Sequence, residues 1–271
     1  MKLKSHFLIF SILFVINLFL IGSAVFDESS SGGSGGYSFK RIVPDKVKFK
    51  SVDKEEALVI KTNKASGTTK LEINMVSMKG EAVNLELKAK IDPNNPRKIK
   101  YKYRDEDDDK ATFVAVKYPE IAKNQNQEPD KKPVDEAKQD KDSFKIFLER
   151  NGAESLVCKV KFGEGKLKIG ADEELATPTY EIKNVAERKK KKYVEKLKVY
   201  HKGIYIASVS KSKESGKYKV KKVKEGEEAK EDLYSTKDLN YMSYSVGVMG
   251  IEVMDPRLRA VIVAEILKKE K

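Results

Sequence analysis

The densest reactive chemistry in this sequence is cationic. Arg188, Lys189, Lys190, Lys191 and Lys192 stand in an unbroken row, and Lys196, Lys198 and Lys202 follow. These eight face two carboxylates, Glu187 and Glu195. A second run, from Lys211 to Lys224, holds seven lysines against Glu214. Such clusters attract phosphates, anionic lipid headgroups or acidic polymers with a strength that falls as salt rises. Tyr193, Tyr200 and Tyr218 interleave with them and offer faces on which bases stack. The plainer reading is that lysine-rich hairpins keep strand edges soluble. The eight residues from Arg188 to Lys202 are the candidate anion- or lipid-binding site.

Other chemistries lack their parts. The 271 residues hold two His, one Cys and no Trp. His6 lies in an apolar leader, which leaves His201 as the single imidazole for a nucleophile's base. It sits beside a Lys202-Gly203 turn and reads as a structural or surface residue. Cys158 alternates with Leu156, Val160 and Phe162 and reads as a small buried hydrophobe, with an intermolecular disulfide as the sharper alternative. Zinc sites of Cys and His have too few ligands. No glycine-rich phosphate loop is present. Arg104-Asp105-Glu106-Asp107-Asp108-Asp109-Lys110 is dense in hard oxygen ligands, but lacks the central glycine and closing glutamate of a calcium loop, and reads as a solvated turn. The expectation is a protein with no catalytic residue, no metal and no cofactor.

Charged residues make up 36% of the chain and hydrophobic ones 39%; 55 Lys and Arg against 42 Asp and Glu give +13. Twelve Tyr and 11 Phe supply bulk for a core. Two lysines, an apolar run from Phe7 to Ala24 and the small residues Gly22-Ser23-Ala24 read as a secretory signal over residues 1–24, or as an uncleaved anchor. The Ser/Gly stretch at 25–36 reads as a spacer. The expected location is therefore outside the cytoplasm: periplasmic, envelope-associated or secreted.

The elements that must position the cations are strands. Val83, Leu85, Leu87, Ala89 and Ile91 alternate with polar residues, and Leu71-Ile73-Met75 and Ile99-Tyr101-Tyr103 repeat that period of two. Leu58-Val59-Ile60 and Phe113–Val116 are continuous apolar runs. Residues 37–118 thus form a smaller all-β region without a helix. The Pro-containing, charged stretch 119–142 reads as a linker and domain boundary. Beyond it, Phe144-Ile146-Leu148 leads to Asn151-Gly152, a tight-turn pair, and the strands continue as a meander over 153–223. Tyr244 to Met254 is apolar and contains glycines. Asp255-Pro256 then marks a helix start, an acceptor followed by proline at the first helical position. The helix runs to Leu267, with only Arg259 and Glu265 polar after Arg257. A helix apolar on nearly every side must be surrounded. The expected fold is mostly β, an antiparallel meander or barrel around one buried hydrophobic C-terminal helix, preceded by the smaller all-β region.

The β-meander with Lys/Tyr-rich hairpins, closing on Gly247-Val-Met-Gly250-Ile-Glu-Val-Met-Asp255-Pro-Arg-Leu-Arg-Ala-Val-Ile-Val-Ala-Glu-Ile-Leu267, resembles the tubby C-terminal-like superfamily, which includes LURP-one-related and scramblase-like proteins. The resemblance covers residues 143–271. It implies a closed barrel threaded by the terminal helix and a role at membranes. Tubby's phosphoinositide-binding positions have no counterpart that can be matched residue by residue, and a signal sequence departs from the mostly intracellular members. The functional expectation is an exported, non-enzymatic β protein binding an anionic membrane surface or acidic polymer. The alternative is a scaffold that binds another protein and uses its charge for solubility; nucleic acid is the least favoured partner.

Overall fold

A computed structural model describes residues 38–43, 46–51, 55–63, 65–104, 110–117, 142–171, 175–189, 192–211, 218–223 and 241–269. The expected leader and spacer, the acidic run at 105–109 and the linker residues 119–141 lie outside these. Fourteen strands pair in chain order, each antiparallel to the next: β1 (Ser38–Val43), β2 (Lys46–Lys50), β3 (Glu56–Asn63), β4 (Thr68–Val76), β5 (Ala82–Asp92), β6 (Asn95–Arg104), β7 (Lys110–Lys117), β8 (Ser143–Arg150), β9 (Ala153–Gly163), β10 (Lys166–Gly170), β11 (Tyr180–Lys189), β12 (Lys192–His201), β13 (Ile204–Lys211) and β14 (Tyr218–Lys222). Helices α1 (Tyr241–Met249) and α2 (Pro256–Leu267) follow.

The sheet does not stop at the expected boundary. β7 pairs with β8 across it, with Thr112 opposite Glu149 and Lys117 opposite Phe144. Residues 34–271 form one compact unit, and one hydrophobic cluster draws on β2 through β14. The shift in composition does not end the sheet, because the backbone ladder continues from β7 to β8.

Alternation does most of the local work. Leu71, Ile73 and Met75 on β4, Leu87 and Ala89 on β5, and Ile99, Tyr101 and Tyr103 on β6 are all buried, while the lysines and glutamates between them face outward. The continuous runs have a separate cause. Val59 and Val114 are buried on the outer face, outside the central cluster; Val59 lies in register between Lys48 and Glu72, where lysine stems cover apolar surface. A bulge between Ile146 and Phe147 skips Val157, so Val157, rather than the expected Leu156, packs on the core. Asn151 and Gly152 take φ of 51° and 80°, as a two-residue hairpin turn requires.

The apolar terminal helix is enclosed, as expected. Ala260, Val261, Ile262, Val263, Ala264, Ile266 and Leu267 are buried, so all sides of α2 are covered. Each such valine, isoleucine or leucine contributes about 1.5–3 kcal/mol gross. Asp255 caps the helix, accepting from the backbone N–H of Arg257 (2.7 Å) and Leu258 (3.3 Å). The helix is one of a pair rather than alone. α1 packs beside it, with Gly247 against Ile182 of β11 and Gly250 against Val220 of β14. Sequence periodicity missed α1 because, with two serines and one glycine among apolar residues, it has no polar stripe. The pair touches β4, β6, β9, β11 and β14, strands from both halves of the sheet, which must therefore wrap around it. Wrapping stops short of closure. β1 and β14 come close, yet no ladder joins them, so the sheet is a curled meander and not the closed barrel the resemblance implied.

Candidate functional site on the outer face

Among the described residues, strand register and not sequence adjacency builds an extended cationic surface. Lys46, Lys61, Lys70, Lys88 and Lys102 stand directly opposite one another from β2 to β6. With strands about 4.8 Å apart, this row of five spans about 19 Å. Lys90 and Lys100 form a second opposed pair alongside Lys88 and Lys102, so β5 and β6 carry a block of four lysines. Directly opposed like charges destabilise a sheet.

Carboxylates one row over relieve part of the repulsion. Lys61 donates to Glu72 (2.6 Å), and Lys70 lies 3.3 Å from Glu72 and 2.5 Å from Glu86. Glu86 lies 3.6 Å from Lys88. The Lys61 hydrogen bond holds Glu72 below the usual carboxylate range, and the Glu86 bond raises Lys70. Lys100 is raised chiefly by Glu149, with Asp92 also near. Glu72 and Glu86 thus serve Lys61, Lys70 and Lys88 in the row, and the surface remains cationic.

The other half of the sheet carries a second row. Lys166, Lys183 and Lys198 are opposed across β10, β11 and β12, followed by Ser208 and Lys221 on β13 and β14. Tyr200 and Tyr205 lie beside it, ring centres 5.7 Å apart. Lys183 Nζ sits 4.9 Å from the centre of the Tyr200 ring, and Lys198 Nζ 5.7 Å from that of Tyr205. These cation–π contacts fix the lysine heads over aromatic faces. Lys202 lines a shallow groove of about 540 Å³ with Ala176, Thr177, Pro178, Thr179, Glu181 and Gly203.

The eight cations expected to act together are spread along one hairpin. The backbones of Arg188, Lys189 and Lys192 form the tip of the β11–β12 hairpin; the structure of Lys190 and Lys191, and the side chains of Arg188, Lys189 and Lys192, lie outside the described residues. Lys196 stands opposite Val185, half-buried. Lys198 is fully buried and cannot meet a large anion directly. Lys202 is exposed at the far end of β12, with φ of 48°. Ten residues of strand separate it from Lys192, about 33 Å. Tyr218, expected to stack, is buried. The β2–β6 row was missed because its lysines are far apart in sequence. Its signal was present in Leu87-Lys-Ala-Lys90 and Ile99-Lys-Tyr-Lys102, where alternation puts every lysine outward.

The remaining candidates behave more simply. Cys158 is buried, and burial pushes its thiol up to about 12. His201 is half-buried, its ring stacked 4.9 Å from Tyr180. Burial, with Lys202 adding, lowers its pKa. Among the described residues no cluster of His, Cys, Asp and Glu has metal-binding geometry, and no helix is long and apolar enough to cross a membrane. Compared with known protein families, curated proteins and solved structures, the chain finds no match.

Proposed function

We propose that this chain is an exported, non-enzymatic protein that binds an anionic surface, a lipid bilayer or acidic polymer, through the lysine rows of its outer face. The observation carrying the reading is lysine opposed to lysine on five consecutive strands, β2 to β6. That arrangement is unfavourable alone and is relieved by a polyanion lying across the strands. Lys183, held over the Tyr200 ring, adds a second contact region on β11 and β12. Export rests on the leader pattern in residues 1–24, and the tubby-like kinship belongs to the same proposal, resting on the enclosed terminal helix.

The test is co-sedimentation with vesicles of neutral lipid alone or with added phosphatidylserine. Binding should need the anionic lipid and fade with salt. Each lysine near such a surface contributes about 1 kcal/mol. Replacing Lys88, Lys90, Lys100 and Lys102 by Gln should therefore weaken binding by up to about a thousandfold. Equal binding to neutral vesicles, or an unaffected variant that is still folded, would overturn the reading.

A protein-binding scaffold is the second reading. Val76 and Met78 are 59% and 64% exposed where β4 turns into β5. A partner held there would stay bound at high salt and be released by Met78→Asp.

A further inference from the structure

The interior carries an unbalanced charge. Arg259, at the fourth position of α2, is fully buried. Its Nη1 donates to the Met249 carbonyl at 3.0 Å, at the C-terminal end of α1, where unpaired carbonyls leave a negative pole. Among the described residues Nε and Nη2 have no hydrogen-bond partner. Those two N–H groups form the parallel edge with which a guanidinium grips a carboxylate or a small anion. Burying a guanidinium without a paired anion is costly.

No carboxylate among the described residues pairs with it. Glu265 lies six residues along the same helix, about 9 Å away, and is committed elsewhere. It accepts from the Tyr101 hydroxyl and from Lys268 Nζ (2.6 Å), with Lys117 Nζ at 3.8 Å. Tyr180 packs on the core from β11, close enough for the Arg259 charge to offset part of the rise that burial imposes on its hydroxyl. The Tyr244 hydroxyl, on α1, is buried and also lacks a partner. The two fully buried ionic groups of α2 are thus served unequally: Glu265 has Lys268 as its cation, and Arg259 has no carboxylate among the described residues.

We infer that the free Nε–Nη2 edge of buried Arg259 holds one small monoanion, no larger than formate or a halide, inside the curled sheet. The size limit follows from burial: Arg259 has no exposed surface and α2 is covered on all sides. A polymer or a lipid headgroup cannot enter. This site is separate from the lysine rows and stands or falls without them.

The experiment uses the full chain exchanged into sodium gluconate, whose anion is too large for the site. Bromide, chloride or formate then replaces gluconate at constant ionic strength, and melting is followed by near-UV circular dichroism. The melting temperature should rise saturably, by about 5–10 °C at a hundredfold excess over Kd. Arg259→Met should abolish that dependence, and Arg259→Lys should weaken it by removing the forked edge. Crystals of the unaltered protein grown in bromide should show an anomalous peak within hydrogen-bond distance of both Nε and Nη2. The crystal result stands even if Arg259→Met fails to fold. No saturable rise, an equal rise in a folded Arg259→Met, or only water at the guanidinium edge would each overturn the inference.

Discussion

Glu265→Gln isolates what one buried charge contributes to holding α2 inside the sheet. Gln keeps the side-chain volume and still accepts from the Tyr101 hydroxyl, so the substitution removes charge and little else. The carboxylate is fully buried. Breaking such a pair from one side destabilises by about 3–5 kcal/mol. Here the orphaned cations are not sealed off: the Lys268 and Lys117 side chains keep 26% and 40% of their surface exposed. Water recovers part of the loss, which points to about 2–3 kcal/mol. For a domain of this size that is a fall in Tm of about 5–10 °C. Adding Lys268→Met should restore most of it, because the neighbouring cation goes with the anion.

The pH profile gives an independent check. Burial pushes Lys268 below its usual 10.5, while Glu265 pulls it back up. Without Glu265 the depression deepens. Between the lowered folded value and 10.5 the unfolded chain binds more protons than the folded one, so stability rises with pH in that window. The variant should therefore close part of its deficit on the way from about pH 7 to about pH 10. Tyr101 bounds the window. Burial, with Glu265 adding, lifts its hydroxyl well above 10.0, so its contribution is intact below 10.0 and is lost above it. Thermal melts of parent, single and double variants across that range decide the matter. A single variant melting within a degree of the parent, a double variant no more stable than the single, or a deficit flat with pH would refute the electrostatic account.

Other expectations concern the helix pair and the thiol. A Cβ at Gly250 would lie 2.8 Å from Val220 Cγ1, so Gly250→Ala should destabilise by about 1–3 kcal/mol in urea titrations, and Val220→Ala should rescue it. Equal, additive losses would mean that the clash is absent. Asp255→Ala removes the α2 cap and should lower stability by about 1 kcal/mol. Burial tends to raise the Asp255 pKa, but hydrogen bonds from Arg257 and from the N–H groups of Arg257 and Leu258 hold it below 3.8. That contribution is present above 3.8 and fades as pH falls through the lowered value, so parent and variant should converge in acid melts. Cys158 should ignore a thiol-specific disulfide reagent at about pH 8 until the chain is unfolded, since burial keeps it protonated. Rapid labelling of the native protein would show that the strand is open.

Much of the fold was legible because its signals are local. Leu71-Ile73-Met75 and Leu85-Leu87-Ala89 alternate whatever surrounds them, Asn151-Gly152 favours positive φ at both positions, and Asp255-Pro256 starts a helix with its own side chain. β1 and β2 were not recognised: Val47 and Phe49 are too few apolar residues to stand out among lysines. α1 was hidden for the opposite reason, as a buried helix with glycines where it meets the sheet shows no stripe. The basic run at Arg188–Lys192 drew attention through adjacency, whereas the five-lysine row is assembled from residues 46 to 102.

The sequence alone settled which side chains turn inward along the cleanly alternating strands β4, β5 and β6, and that the last helix is too apolar to face water. Both follow from short-range periodicity and the cost of exposing hydrocarbon. Only the tertiary structure decided that one sheet runs through both β regions, that its edges approach without pairing, and which lysines oppose one another. It also decided that Glu265 has Tyr101 and Lys268 as partners while Arg259 keeps one edge free. Those outcomes depend on register and on groups more than a hundred residues apart in the chain, and no local pattern encodes the distance between them.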